Sequence, residues 1–113
     1  MPTPQDRLGV IQAIYNDAND NEPSDLADAT TAAQVTEVQQ NLANARHAYY
    51  SAVAAALTNA GASVEAAYTA AQNALTAVRE ARAASAEIPA LLQKLNGATT
   101  AATHLLDAAK SAY

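Results

Sequence analysis

The chain has 113 residues and a formal net charge of −5, and this length predicts one domain, a helical bundle over residues 1–113. The absence of cysteine excludes a disulfide scaffold, a cysteine-ligated zinc module and a cysteine nucleophile. The acidic balance argues against a nucleic-acid binder, which needs a basic face. No apolar run approaches the roughly 20 residues that span a bilayer, and no secretory signal is visible, so we expect a cytoplasmic protein without a membrane span.

The composition predicts an all-α protein. Alanine, the best intrinsic helix former, supplies 32 of the 113 residues. The chain has only 3 glycines and 4 prolines, and they are far apart. Such a spacing of helix breakers indicates long helices joined by short connections.

The first predicted helix spans about residues 4–20. It begins after Thr3, which has the hydroxyl of a helix cap, and Pro4 occupies the first helical position. Leu8, Ile11 and Tyr15 lie on one stripe of this helix. The Asn- and Asp-rich run that Pro23 closes is expected to end it, because Asn, Asp and Pro favour turns.

Three further helices are predicted from the positions of caps and breakers. The second spans about 24–59, beginning between Ser24 and Thr31 and ending before Gly61. The third spans about 62–96, with a kink near Pro89, and the fourth spans about 98–112. The two middle helices are therefore expected to be long, and the two flanking helices short.

The apolar positions of the two long helices suggest that these helices pair directly. In the second helix, residues spaced by three and four positions can be paired with residues of the third helix that have the same spacing. The two residue numbers of each pair add up to 120. This pattern places Tyr49 beside Ala71 and Val38 beside Arg82, with a tight reversal near Gly61. The predicted fold is thus an antiparallel helical bundle built on a long central hairpin, with four helices at one end and a bare two-helix arm, about 46–76, at the other.

The bare arm leads to an expectation of self-association. A two-helix arm covers only one stripe of each helix, so its remaining apolar faces stay in water unless another chain covers them. We therefore expect a homodimer or another homo-oligomer, or contact with another protein. The predicted interface consists of the large side chains of the arm, which are Tyr49, Tyr50, Val53, Leu57, Val64 and Tyr68.

The acidic segment 17–28 resembles a twelve-residue calcium loop in its spacing. Glu22 stands where the loop needs glycine for its sharp turn, and Asp28 is one methylene shorter than the usual bidentate Glu. We therefore expect no calcium stabilisation at physiological concentrations, and turn-forming side chains are the alternative explanation. The candidate ligands, at loop positions 1, 3, 5, 9 and 12, are Asp17, Asn19, Asn21, Asp25 and Asp28.

The remaining polar residues carry weaker indications of a site. His47 and His104 are far apart in sequence, and although Asp107 follows His104 at i+3, zinc needs three or four convergent ligands, so both histidines are expected on the solvated surface. A solvated face is likewise expected for the charge cluster around Arg82. That cluster comprises Arg79, Glu80, Arg82 and Glu87. The seven acidic residues among residues 1–40 either dock a basic partner or solubilise the turns.

No pattern of residues indicates catalysis. The chain has no nucleophile elbow and no glycine-rich phosphate loop, so we expect no enzyme, no catalytic residue, no cofactor and no bound metal. The favoured function is a non-enzymatic structural or assembly module, such as a phage, secretion or scaffold component. A calcium-responsive helical protein is one alternative, and a small-ligand carrier or enzyme that uses the bundle interior is another.

Overall fold

A computed structural model describes residues 2–110 as four helices of nearly equal length. The prediction of an all-α antiparallel helical bundle is confirmed. Three short connections join the four helices, and each helix runs antiparallel to the one before it. The helices are α1 (Pro4–Asp28), α2 (Ala32–Ala55), α3 (Ala62–Ala83) and α4 (Ile88–Ala109).

Two capping boxes begin α1 and α2. The Thr3 hydroxyl accepts from the backbone N–H of Asp6 at 3.1 Å, and the Asp6 carboxylate accepts from the backbone N–H of Thr3 at 2.9 Å. Thr31 and Gln34 make the same reciprocal pair at the start of α2. Each box satisfies otherwise unpaired N–H groups of a first turn, so α1 begins after Thr3 as predicted and α2 begins after Thr31, the last residue of the range predicted for its start.

The predicted boundaries of α1 and α2 are wrong around the acidic segment. The segment is helical, and α1 continues through Pro23 to Asp28. Proline removes one helical hydrogen bond, and Asn and Asp are poor helix formers, so intrinsic propensity alone ends the helix earlier. Tertiary contacts outweigh this propensity, because Asp17 and Asp25 form ion pairs with Arg82 of α3.

The predicted boundaries of α3 and α4 are also wrong. The third helix ends at Ala83, and Pro89 lies in the first turn of a new helix rather than at a kink. Proline suits this position because the first-turn N–H groups have no helical partner. Gly97 lies inside α4 and does not separate two helices. Buried side chains on both sides of Gly97 form a continuous stripe that stabilises one helix. That stripe includes Leu91, Leu92, Leu95, Ala98, Ala102, Leu105 and Leu106.

The predicted central hairpin is not formed. Among residues 2–110, α2 and α3 do not pack against each other; α2 packs on α1 and α4, and α3 packs on α1 and α4. Tyr49 contacts Tyr15 rather than Ala71, and Arg82 contacts Asp17 rather than Val38. Residue numbers of paired positions add up to a constant for any two antiparallel helices that share the same apolar period. The pattern therefore could not identify which helix packs against α2.

The bare arm is absent because α1 and α4 run along the whole length of the bundle. Helices of 22 to 25 residues measure about 33 to 38 Å, which fits the longest molecular dimension of 42 Å. Core side chains lie in all four helices, and Ile11, Val78 and Leu105 are fully buried. Many other core positions are alanine, which lets the helices approach closely. Residues 46–76 therefore belong to the same core as the rest of the described chain.

The connection from α2 to α3, residues 56–61, crosses one end of the bundle diagonally. Arg7 of α1 is only 3% exposed and donates from Nη1 to the Leu57 carbonyl at 2.7 Å. Asn59 donates from its backbone N–H to the Ala109 carbonyl at 2.9 Å and from Nδ2 to the Lys110 carbonyl at 2.6 Å. These bonds fasten the crossover to the start of α1 and the end of α4.

Candidate interaction surface

Three tyrosines cluster where α1 packs against α2. The rings of Tyr15 and Tyr49 are stacked, with centroids 5.5 Å apart and planes 12° from parallel. Tyr50 meets Tyr15 edge-on at 6.2 Å and lies 5.8 Å from Tyr49. Tyr15 and Tyr49 are half-buried, whereas Tyr50 is 58% exposed. The stack thus supports an outer aromatic ring that faces solvent.

Val53 extends this cluster along α2. It is 57% exposed and lies one turn beyond Tyr50. Within residues 2–110, Tyr50 and Val53 are the two exposed large hydrophobic side chains. We call Tyr15, Tyr49, Tyr50 and Val53 the aromatic patch. The predicted interface did not include Tyr15, because α1 was expected at the four-helix end and not beside the arm that holds Tyr49 and Tyr50.

The other three predicted interface residues lie elsewhere. Leu57 and Val64 are 2% and 3% exposed, so their side chains are covered by the chain itself. Tyr68 is half-buried on α3, and its hydroxyl accepts a hydrogen bond from Gln72 Nε2 at 3.0 Å. The six residues therefore do not form one surface, and Tyr49, Tyr50 and Val53 are the ones that share a patch.

Arg82 is the centre of a largely buried charge cluster between α1 and α3. Its guanidinium donates to Asp17 Oδ1 from Nε at 3.0 Å and from Nη2 at 2.9 Å. It also donates to Asp25 from Nη1 at 2.7 Å and from Nη2 at 3.0 Å. Burial acts to lower the pKa of Arg82, but the hydrogen bonds that it donates to Asp25 and Asp17 outweigh this effect, so the pKa is raised. The expectation of a solvated face is therefore wrong for Arg82.

A signal for this cluster was present in the sequence. Asp17, Asn21 and Asp25 are spaced by four residues, which places them along one side of a helix. A polar stripe of this kind requires a partner if its helix is packed. Because the segment was expected to be a loop, the spacing was compared with a calcium motif instead.

The helical conformation of segment 17–28 also disperses the candidate calcium ligands. Arg82 occupies the carboxylates of Asp17 and Asp25, and Asn21 Nδ2 donates to the Asp17 carbonyl at 2.8 Å. Asn19 is exposed, on another side of the helix. Within residues 2–110, no three His, Asp or Glu side chains lie together in an arrangement that could hold a metal ion.

Several clefts of the described region lie at the surface, with volumes of about 250 to 460 Å³. Both histidines line one of them, a cleft of about 370 Å³ between α2 and α4. Both are exposed, as expected. Although they are far apart in sequence, they line the same cleft. The other residues that line this cleft are Asn44, Thr99, Thr100 and Thr103.

None of the helices within residues 2–110 combines the length and the apolar character that crossing a bilayer requires. Comparisons of the chain with protein-family models, with curated proteins and with solved structures give no match. The arguments for a function therefore come from the residues themselves.

Proposed function

We propose that this protein is a non-enzymatic assembly module, a helical bundle that forms a homodimer through the aromatic patch. The observation that carries the proposal is the exposure of Tyr50 and Val53 on top of stacked tyrosines. A large exposed apolar side chain on an isolated bundle loses the stabilisation that burial provides, about 1.5–3 kcal/mol. Tyrosine is enriched at interfaces because its ring is apolar and its hydroxyl tolerates water.

Charged side chains on α1 and α2 support a second copy of the chain as the occupant. Arg46 is exposed one turn before Tyr50, and Asp20 is exposed on α1, on a different side of that helix from Tyr15. Within the described residues, neither side chain has an ion-pair partner. A two-fold axis parallel to the helices brings Arg46 of one protomer toward the acidic α1 of its partner, and the apolar patch then meets itself.

The rigidity of the patch supports a role in binding. Tyr49 and Tyr15 are fixed by stacking and by the packing of α1 on α2, so little side-chain entropy is lost when Tyr50 is covered. The four patch side chains alone are smaller than the roughly 1,200–2,000 Å² of a standard interface, so small exposed neighbours such as Ala43 and Ala54 contribute area. We therefore expect micromolar rather than nanomolar association.

The test is the mass in solution of the wild type and of the variant Tyr50→Glu/Val53→Glu. Sedimentation equilibrium should show a dimer for the wild type and a monomer for the variant, because two carboxylates in each patch repel and resist desolvation. Helicity by circular dichroism should be retained, because both side chains face solvent. A wild type that stays monomeric at high micromolar concentration contradicts the proposal.

A matched control is Asn73→Glu/Thr76→Glu on α3. These residues are exposed at the same i, i+3 spacing, and α3 lies diagonally opposite α2. The control adds the same charge, so it should leave the dimer intact. If it dissociates the dimer as the patch variant does, net charge rather than the patch governs association.

The calcium alternative finds less support, because the segment 17–28 is helical and two of its carboxylates already bind Arg82. The carrier or enzyme alternative needs convergent polar groups in the bundle interior. The two buried charged side chains of residues 2–110 have other partners: Arg7 binds backbone carbonyls, and Asp25 binds Arg82. The assembly module is thus the function that the geometry favours.

A further inference from the structure

The four helices form two hairpins, α1–α2 and α3–α4, and the crossover 56–61 connects these hairpins along the chain. Between the hairpins, α1 packs on α3 and α4, and α2 packs on α4. Within residues 2–110, α2 and α3, the two helices that the crossover joins, do not pack against each other. All these contacts between hairpins can therefore form equally well between a hairpin of one copy of the chain and the complementary hairpin of a second copy.

The crossover begins with a backbone conformation that alanine does not favour. Ala56 has φ 55° and ψ 103°. At a positive φ the Cβ atom of an L-residue crowds the backbone, and such a residue costs stability unless its surroundings hold it there. Here the surroundings do so, because Leu57 is buried and Asn59 donates from its backbone N–H to the Ala109 carbonyl. The closed crossover of the structure is thus a balance between strain at Ala56 and these contacts.

An open crossover relieves this strain and is long enough to connect two bundles. Residues 56–61 contain no proline, so Ala56 adopts a helical or an extended conformation without hindrance when the crossover opens. Fully extended, this segment spans about 20 Å, which is comparable with the 18 and 24 Å widths of the bundle. One chain can therefore contribute its two hairpins to two neighbouring bundles.

We propose that two copies of this chain exchange hairpins, so that α3–α4 of each copy packs on α1–α2 of the other. The ion pairs of Arg82 with Asp17 and Asp25 then join different copies. Docking within one chain benefits from an effective concentration in the millimolar range, and strain at Ala56 reduces this advantage. The exchanged dimer forms when the chain folds at high protein concentration. It uses the inner faces of the hairpins, so it is independent of the aromatic patch.

The first test mixes two variants that rescue each other only if hairpins are exchanged. One chain carries Arg82→Leu, and the other carries Asp17→Asn and Asp25→Asn. An exchanged heterodimer has the native cluster in one bundle and an uncharged cluster in the other, so no buried charge lacks a partner. The two chains refolded together from urea should therefore give a dimer with a higher melting temperature than either chain refolded alone. If neither chain folds alone, helicity should be regained in the mixture, and a mixture that behaves as the separate chains do refutes the exchange.

Substitutions at Ala56 test the crossover itself, by the dimer-to-monomer ratio after refolding at one fixed concentration. Proline holds φ at about −65°, so Ala56→Pro excludes the closed crossover and should raise the ratio. Glycine has no Cβ, so Ala56→Gly tolerates the positive φ and should lower the ratio at least about fivefold. The matched control is Ser85→Gly, because Ser85 also has φ 55° but lies within the α3–α4 hairpin. A ratio that Ser85→Gly lowers as much as Ala56→Gly does overturns the proposal.

Dilution separates the exchanged dimer from the dimer that forms through the aromatic patch. Hairpins exchange only when the bundle opens, so the exchanged dimer should persist through size-exclusion chromatography of the diluted protein, whereas micromolar contact through the patch dissociates. Protein refolded from urea at high micromolar concentration should therefore contain a dimer that survives dilution. Tyr50→Glu/Val53→Glu should remove the patch dimer and keep this one, so the two proposals fail independently. Refolding that yields only monomers after dilution overturns the hairpin exchange.

Discussion

Each end of the bundle holds a buried or largely buried arginine, and the two arginines have different partners. Arg82 lies between two carboxylates, those of Asp17 and Asp25, which join α3 to α1. Arg7 donates to the backbone carbonyls of Leu57 and Pro2, and its Nε has no hydrogen-bond partner within the described residues. Arg82 thus connects two side-chain surfaces, whereas Arg7 fixes the path of the backbone.

The difference has an energetic consequence. A buried cation loses hydration, and a carboxylate at close range offsets much of this loss while a backbone carbonyl offsets less. Removal of Arg82 leaves two carboxylates with little solvent and no counter-charge. Removal of Arg7 leaves only carbonyl oxygens without a donor, and it also removes a poorly compensated charge. The end that holds Arg82 should therefore be the more sensitive to substitution.

The largest effect is expected for Arg82→Leu. Breaking a buried ion pair from one side costs roughly 3–5 kcal/mol, because the remaining charges are uncompensated. Urea unfolding should show a loss of this size in the free energy of unfolding. The matched control is Arg79→Leu one turn earlier, which is exposed and should change the free energy by less than about 0.5 kcal/mol. Similar losses for the two variants would mean that the cluster contributes no special stability.

A smaller effect is expected for Arg7→Met, which keeps most of the aliphatic stem. The loss of hydrogen bonds to a charged donor costs about 1.5–3 kcal/mol, and removal of a buried charge offsets part of that cost. The net loss should be about 1 kcal/mol, which chemical denaturation can resolve. If Arg7→Met destabilises the protein as much as Arg82→Leu does, the comparison between the two ends fails.

The smallest effect is expected for Asp6→Asn in the capping box at the Arg7 end. The hydrogen bond that the Thr3 backbone N–H donates to the Asp6 carboxylate, followed by the interaction with the Thr3 side chain, lowers the pKa of Asp6. A lowered folded-state pKa gives stability that is present above the unfolded pKa and is lost as the pH falls through the folded pKa. The wild type should therefore exceed the variant in melting temperature at neutral pH, and this gap should close in strong acid. A gap that does not vary with pH would contradict this assignment.

The sequence was sufficient to predict the class of fold and the helix caps, which depend on local residues. The capping box at Thr3 begins α1 as predicted, and that at Thr31 begins α2 at the end of the range predicted for its start, because caps depend on residues three positions apart. Proline and glycine, which commonly break helices, predicted the helix ends less well. Pro23 and Gly97 both lie inside helices, since tertiary contacts on either side of them hold the backbone helical. Local propensity therefore located helix starts better than helix ends.

The periodicity of apolar residues could not predict which helices pack against each other. An apolar stripe shows which side of a helix is buried, but it does not identify the helix that covers it. For this reason Tyr49 was expected to contact α3 and Arg82 was expected to contact α2, although both contact α1. Of the predicted interface residues, Tyr50 and Val53 are exposed, whereas the crossover turns Leu57 into the core.

The diagonal crossover has a consequence for the order in which the structure forms. Since α2 and α3 do not touch, the chain divides into two helical hairpins, α1–α2 and α3–α4, each joined by a connection of three or four residues. Contacts within a hairpin are close in sequence and form quickly, whereas contacts between hairpins, such as Asp17 with Arg82, must close long loops. We therefore expect the docking of the two hairpins to be the slow event of folding, and the ion pairs of Arg82 to form in that step.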